Sequence, residues 1–333
     1  MYTDDDLNLA IKKDIFTQGA VDKFRKSMSS TKSTPIVDEE NFKFVGGFND
    51  IFVVIASCLL LFSSIYVLKP MNESLAFFCF VILSWGLSEV FILKRKMSLP
   101  AILLLVSFVG GSFYLCQSFF SQITQQALIF GAAFAAISAY CHWLRFRVPI
   151  TVAAGALALI GFIIAVTMSA FPEAKTFILI LVFACGVATF LLAMCWDASD
   201  IERVTQKSDV AFWLHLVSAP LVIHPMFLML GISDESQTLL NMSLVVVIYV
   251  LMTFISIAID RRAFMVSALA YVLYALSSII SENNNVGYSF ALTGVFMGTV
   301  LLLLSAFWQV ARQQIMKALP LCIKKYLPVV TPI

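Results

Sequence analysis

IDRRAFMVS (residues 259–267) places a basic pair between two apolar runs, and LKRKMSLPA (93–101) and LRFRVPITV (144–152) repeat the theme earlier in the chain. These turns decide the fold. If the flanking runs cross a bilayer, each turn returns the chain to the same side. The positive-inside rule makes that side the cytoplasm.

Working outward, ten apolar runs are legible, at about 48–68, 75–93, 99–116, 127–144, 148–168, 176–196, 210–230, 239–259, 263–280 and 288–310. Each has about 18 residues or more, enough to cross a hydrocarbon core of ~30 Å. The composition agrees: 60% of the chain is hydrophobic and 13% charged, where a soluble domain is about a quarter charged. The expected fold class is all-α, a polytopic transmembrane helix bundle of about ten spans.

With the N-terminus in the cytoplasm, every lysine and arginine except Lys69 and Lys175 falls on the cytoplasmic side. An even number of spans then puts both termini there. Trp143, Trp196, Trp213 and Trp308 fall near the same ends of their spans, the level an indole prefers, and only Trp85 lies well inside one. The shared theme of the three basic turns is what repeated inward hairpins must look like. It does not require duplicated ancestry, and no motif matches between the two halves by eye.

The domain reading has three parts. Residues 1–47 form a cytoplasmic helical hairpin and linker. Leu7, Ile11 and Ile15 are at helical spacing behind Asp4, Asp5 and Asp6, and Thr17 caps a second helix carrying Val21, Phe24 and Met28. Residues 29–35 read as linker. Residues 48–310 are the ten-span bundle. Residues 311–333 read as an interfacial basic tail, in which Arg312, Lys317, Lys324 and Lys325 alternate with apolar residues and Pro320 breaks the helix. No apolar run precedes Phe48, so the expectation is an uncleaved first span rather than a secretory leader. The expected partners are the lipid bilayer, anionic lipid at the tail, and a protein docking on residues 1–35.

Several function classes lose support. A net charge of +2 with no basic-aromatic patch argues against nucleic acid. The seven cysteines are scattered with no C-x-x-C spacing, which supports neither zinc nor a disulfide framework. Small-residue faces, such as Gly131, Ala135 and Ala139 or the Gly294–Gly298 pair, are helix-packing devices. No nucleophile, metal motif or phosphate loop favours an enzyme; were it one, Glu89, His142 and His215 would be the residues to test. No cofactor or metal is expected.

The candidate intramembrane polar site comprises Asp50 at the start of the first span, Glu89 and His142 near the inner ends of the second and fourth, and His215 and His224 in the seventh. Ionisable groups inside a membrane mark ion or substrate paths by default. The bland alternative is that each snorkels to the interface or bonds a backbone carbonyl. The seventh span, in SDVAFWLHLVSAPLVIHPMF (208–227), also carries Pro220 and Pro225. A proline frees the carbonyl four residues back, here Leu216 and Leu221, so a kinked or unwound segment buried in the bundle is expected. His215 and His224 are nine residues apart, on opposite helix faces, and cannot share a metal. The charged segment 197–209 reads as a solvated loop, with Ser208 or Asp209 capping the seventh helix.

DVAFWLHL followed by Ala219–Pro220 and His224–Pro225, with the GFND entry to the first span and the short N-terminal hairpin, resembles a family of bacterial multi-span inner-membrane proteins with no assigned activity. The resemblance covers most of the chain, its most specific piece being the seventh span. It implies a bacterial inner-membrane setting and carries over no site residue. Ten spans with both ends inside also resemble the drug/metabolite transporter architecture, which the hairpin does not fit. The leading functional expectation is a carrier for a small or amphipathic solute around a Pro-broken seventh span. The competing one is a non-transporting scaffold or envelope-assembly factor that uses the hairpin.

Overall fold

The structure, a computed structural model, describes residues 10–13, 15–24, 48–120, 122, 124–201, 203, 205–231, 239–281, 286–320, 324 and 326–328. It divides into two units, residues 1–43 with 331–333, and residues 44–330. In the first, residues 18–24 are helical and the Ala20 amide donates to Thr17 Oγ1, the expected cap. The acidic start at 4–6 and the linker at 29–35 lie outside the described residues.

The second unit is all-helical among its described residues and contains ten helices long and apolar enough to cross a membrane. They are α1 (Phe48–Leu68), α2 (Glu73–Ser88, which spans together with the π-helical turn that carries it to Lys94), α3 (Ser98–Gln117), α4 (Gln125–Phe146), α5 (Ile150–Ala170), α6 (Ile178–Ala198), α7 (Gln206–Met229), α8 (Leu239–Ile259), α9 (Ala263–Ser281) and α10 (Val286–Ala306). A shorter helix, α11 (Trp308–Ala318), follows. It stops where Leu319 turns extended ahead of Pro320, because the proline ring disfavours a helical residue before it.

Four hairpins, α2–α3, α4–α5, α6–α7 and α8–α9, turn at one end of the bundle, here called the basic end. Among the described residues each turn contains one with left-handed backbone: Lys96 (φ 52°), Arg147 (54°), Arg203 (54°) and Asp260 (56°). A left-handed residue ends a helix while bending the chain back on itself. The basic turns thus share a geometry as well as a charge. At the first of them α2 runs on as a π-helical turn over Glu89–Lys94, with Arg95 N–H reaching the Val90 carbonyl.

The seventh span is the central one. Its most apolar window is 56% buried, against 17% for α1 and α10. It packs on α6, α9 and α5. It is not broken, however. α7 is continuous through Pro220 and Pro225, which overturns the expected unwinding. Gly186 packs tightly against one freed carbonyl. A β-carbon added there would lie 2.7 Å from the Leu221 carbonyl carbon and 2.9 Å from its oxygen. The bare backbone of α6 thus closes on the carbonyl that Pro225 leaves without its helical donor. α7 also begins earlier than expected. Thr205, not Ser208 or Asp209, is its N-cap, accepting from Lys207 N–H at 3.3 Å.

Candidate functional site

The charged segment between α6 and α7 is not a solvated loop. Asp197 and Asp200 are buried, and Thr205 donates to Asp200 Oδ2 through both its backbone N–H (2.9 Å) and its hydroxyl (2.7 Å). Those bonds draw Thr205 back onto Asp200, and α7 starts at Gln206. This sets the last residues of α6 beside the first three turns of α7.

There Asp197 meets His215 and Arg261. His215 Nε2 lies 2.9 Å from Asp197 Oδ2. Arg261, from the α8–α9 turn, donates to Asp197 Oδ1 at 2.7 Å, and its Nη2 also reaches the Ser208 carbonyl and hydroxyl at 3.1 and 3.2 Å. All three side chains are withdrawn from solvent, His215 completely. Phe190 closes over the imidazole edge-on at 5.5 Å, and Phe212 lies 5.9 Å from the Arg261 guanidinium. The carboxylate can only accept, so the imidazole donates through Nε2. His215 Nδ1 is buried with no hydrogen-bond partner among the described residues.

A second carboxylate extends the assembly. Asp260 Oδ2 accepts from Arg203 at 2.8 Å and lies 3.3 Å from Arg312. Its Oδ1 takes the Trp308 indole N–H at 2.7 Å. Arg203 also holds the Ile259 carbonyl, and Arg312 the Pro328 carbonyl at 2.8 Å. Arg203 lies outside the spans. Burial pushes its guanidinium below its usual range and Arg261 adds to this, while Asp260 and Asp197 oppose. An arginine remains charged under such a shift. The network ties the α6–α7 turn, the head of α7, the α8–α9 turn and α11 together at the basic end.

This geometry corrects the expected site. Glu89 belongs to a surface ion pair, with Arg145 gripping both its oxygens at 2.8 and 2.9 Å. His142 is fully buried in an aromatic box of Trp85, Phe108 and Phe146, with Nδ1 3.3 Å from Thr151 Oγ1. His224 is exposed on α7 and bonds the Tyr271 hydroxyl. Asp50 is buried in the first turn of α1, where a carboxylate suits the helix dipole. Glu89, His142, His215 and His224 therefore hold separate partners, and of these four only His215 belongs to the charge network among the described residues. Arg312, read as part of a lipid-facing tail, is instead 1% exposed and paired with Asp260. Sequence reasoning missed Asp197, Arg203, Asp260, Arg261 and Arg312 as site residues. The available signal was an acid beside a basic pair within a turn.

No cluster of three or more His, Cys, Asp or Glu able to hold a metal occurs among the described residues. The chain matches no family model, no curated protein and no solved structure. What fold and site define is a class, a ten-helix multi-pass membrane architecture with a buried ionic network at one end.

Proposed function

We propose that the chain is a carrier for a small or amphipathic solute, and that the Asp197–His215–Arg261 assembly at the head of α7 is its working polar site. The single observation behind this reading is His215, fully buried in the central span with Nε2 committed to Asp197 and Nδ1 left open. A buried polar atom without a partner needs an explanation. A hydrogen-bond donor from a solute, or a water, would complete it.

The rest of the network suits the same task. A buried ion pair adds little stability over an apolar pair of equal size, and its best-attested uses are in specificity and switching. A closure built of ion pairs between helix ends can open to one side of a membrane and re-form. In this reading the basic end faces the cytoplasm with both termini, as the distribution of lysine and arginine favours. The bacterial inner membrane rests on the family resemblance alone.

The scaffold reading is favoured by a different observation. α7 is unbroken at its prolines, and Gly186 closes on Leu221, so the region expected to open is tightly packed. Native mass spectrometry of the full chain from mild detergent, wild type beside His215→Ala, separates the two. A small molecule held by the wild type and lost in the variant supports the carrier. Bare protein in both, or a retained partner protein alone, supports the scaffold.

A further inference from the structure

A groove of about 230 Å³ runs between α9 and α10 and ends at α11. Met265 and Val266 form one wall, Leu301 and Leu304 the other, and Arg262 with Trp308 closes the basic end. The Arg262 guanidinium lies over the Trp308 ring at 5.0 Å. That indole is itself fixed, since its N–H is held by Asp260. Arg261 and Arg262 are neighbours with opposite fates: the first is locked in the network, the second stands at the mouth of an apolar slot.

We infer that this groove binds an anionic phospholipid, its phosphate on Arg262 and one acyl chain along Met265, Leu301 and Leu304. Three observations carry the assignment. First, the groove lies on the outside of the bundle: Val266 is 61% exposed, and α10 has one of the least buried windows of the ten spans. In a bilayer such a surface is covered by lipid. Second, Arg262 immediately precedes α9 and Trp308 opens α11 two residues after α10 ends, which places both at headgroup depth with the apolar walls running inward. Third, among the described residues no carboxylate lines the groove. The nearby Asp260 is occupied by Arg203, Arg312 and Trp308. A choline or ethanolamine ammonium would find no counter-charge there, whereas a lipid of net negative charge meets one unopposed guanidinium. The assignment stands whether the chain is a carrier or a scaffold.

The test uses the full chain in mild detergent with equal amounts of phosphatidylglycerol and phosphatidylcholine, and native mass spectrometry reads the lipid retained. The wild type is expected to keep phosphatidylglycerol preferentially. Arg262→Gln should lower that preference about tenfold, the order of a lost charge-assisted hydrogen bond, and Arg262→Lys should keep most of it. Leu301→Phe fills the slot without touching the charge and should lower retention of both lipids, with folding checked by thermal melting. Equal retention of the two lipids by the wild type would overturn the inference, as would an unchanged preference in folded Arg262→Gln. Loss of the preference in Lys317→Gln/Lys324→Gln with Arg262 intact would also overturn it, by assigning the lipid to the tail.

Discussion

Arg203 and Asp260, 57 residues apart and both left-handed in the backbone (φ 54° and 56°), are ion-paired at 2.8 Å. Two of the four turns at the basic end therefore hold each other through their strained residues. A left-handed conformation costs a non-glycine residue roughly 1–2 kcal/mol. At these two positions the side chain repays the strain by joining the network.

Glycine substitutions should separate the two contributions. Lys96 has the same backbone geometry with an exposed side chain, so Lys96→Gly should leave stability unchanged or raise it by up to about 1 kcal/mol. Asp260→Gly relieves the same strain but removes the carboxylate that Arg203, Arg312 and Trp308 share, and should cost about 3–5 kcal/mol. Thermal melting in one detergent gives both signs; two shifts of the same sign would contradict the assignment.

The Asp197–Arg261 pair should behave as a unit. Asp197→Asn or Arg261→Gln alone removes one member of a buried ion pair, at about 3–5 kcal/mol each. The double variant should cost less than the two losses together by about 1–3 kcal/mol. Additive losses in a double-mutant cycle would show that the residues are not coupled.

The α6–α7 contact makes a steric prediction. Gly186→Ala drives a methyl group into the Leu221 backbone and should destabilise by about 1–3 kcal/mol. Gly161 on α5 has nothing within 4 Å of an added β-carbon, so Gly161→Ala should be neutral or mildly stabilising. Equal melting temperatures for the two variants would mean that the helices are not closed at Gly186.

Glu89→Gln should change neither melting temperature nor function measurably. The Glu89–Arg145 pair is solvent-exposed, and exposed pairs contribute little. A large loss of function in this variant would restore Glu89 as a site residue.

These residues show what was legible in the sequence. The ten spans were, because long apolar runs have few alternatives in a chain of this composition. His215 was, because an ionisable group in an apolar run stands out. Its partners were not, for a physical reason. Arg203, Arg261 and Asp260 lie in turns whose charge was already explained by topology, and one charge can serve both insertion and packing. Asp197 meets Arg261 across 64 residues, and no local pattern announces such a contact. The prolines misled in the other direction. Pro225 removes the helical donor to the Leu221 carbonyl as expected, but α7 stays helical through it, with Gly186 of α6 packed against that carbonyl.

The central claim, that the head of α7 opens to solvent as a carrier's site must, is tested most directly by a cysteine at Ser218, fully buried one turn beyond His215. In a chain whose own cysteines are replaced and which is reconstituted in vesicles, Ser218→Cys would be exposed to a membrane-impermeant thiol reagent, with Cys at the exposed Ser199 as the positive control. The carrier account predicts that both positions are labelled, Ser218→Cys more slowly. Labelling at 199 with complete protection at 218 would contradict it and leave the charge network as a fixed tie between helix ends.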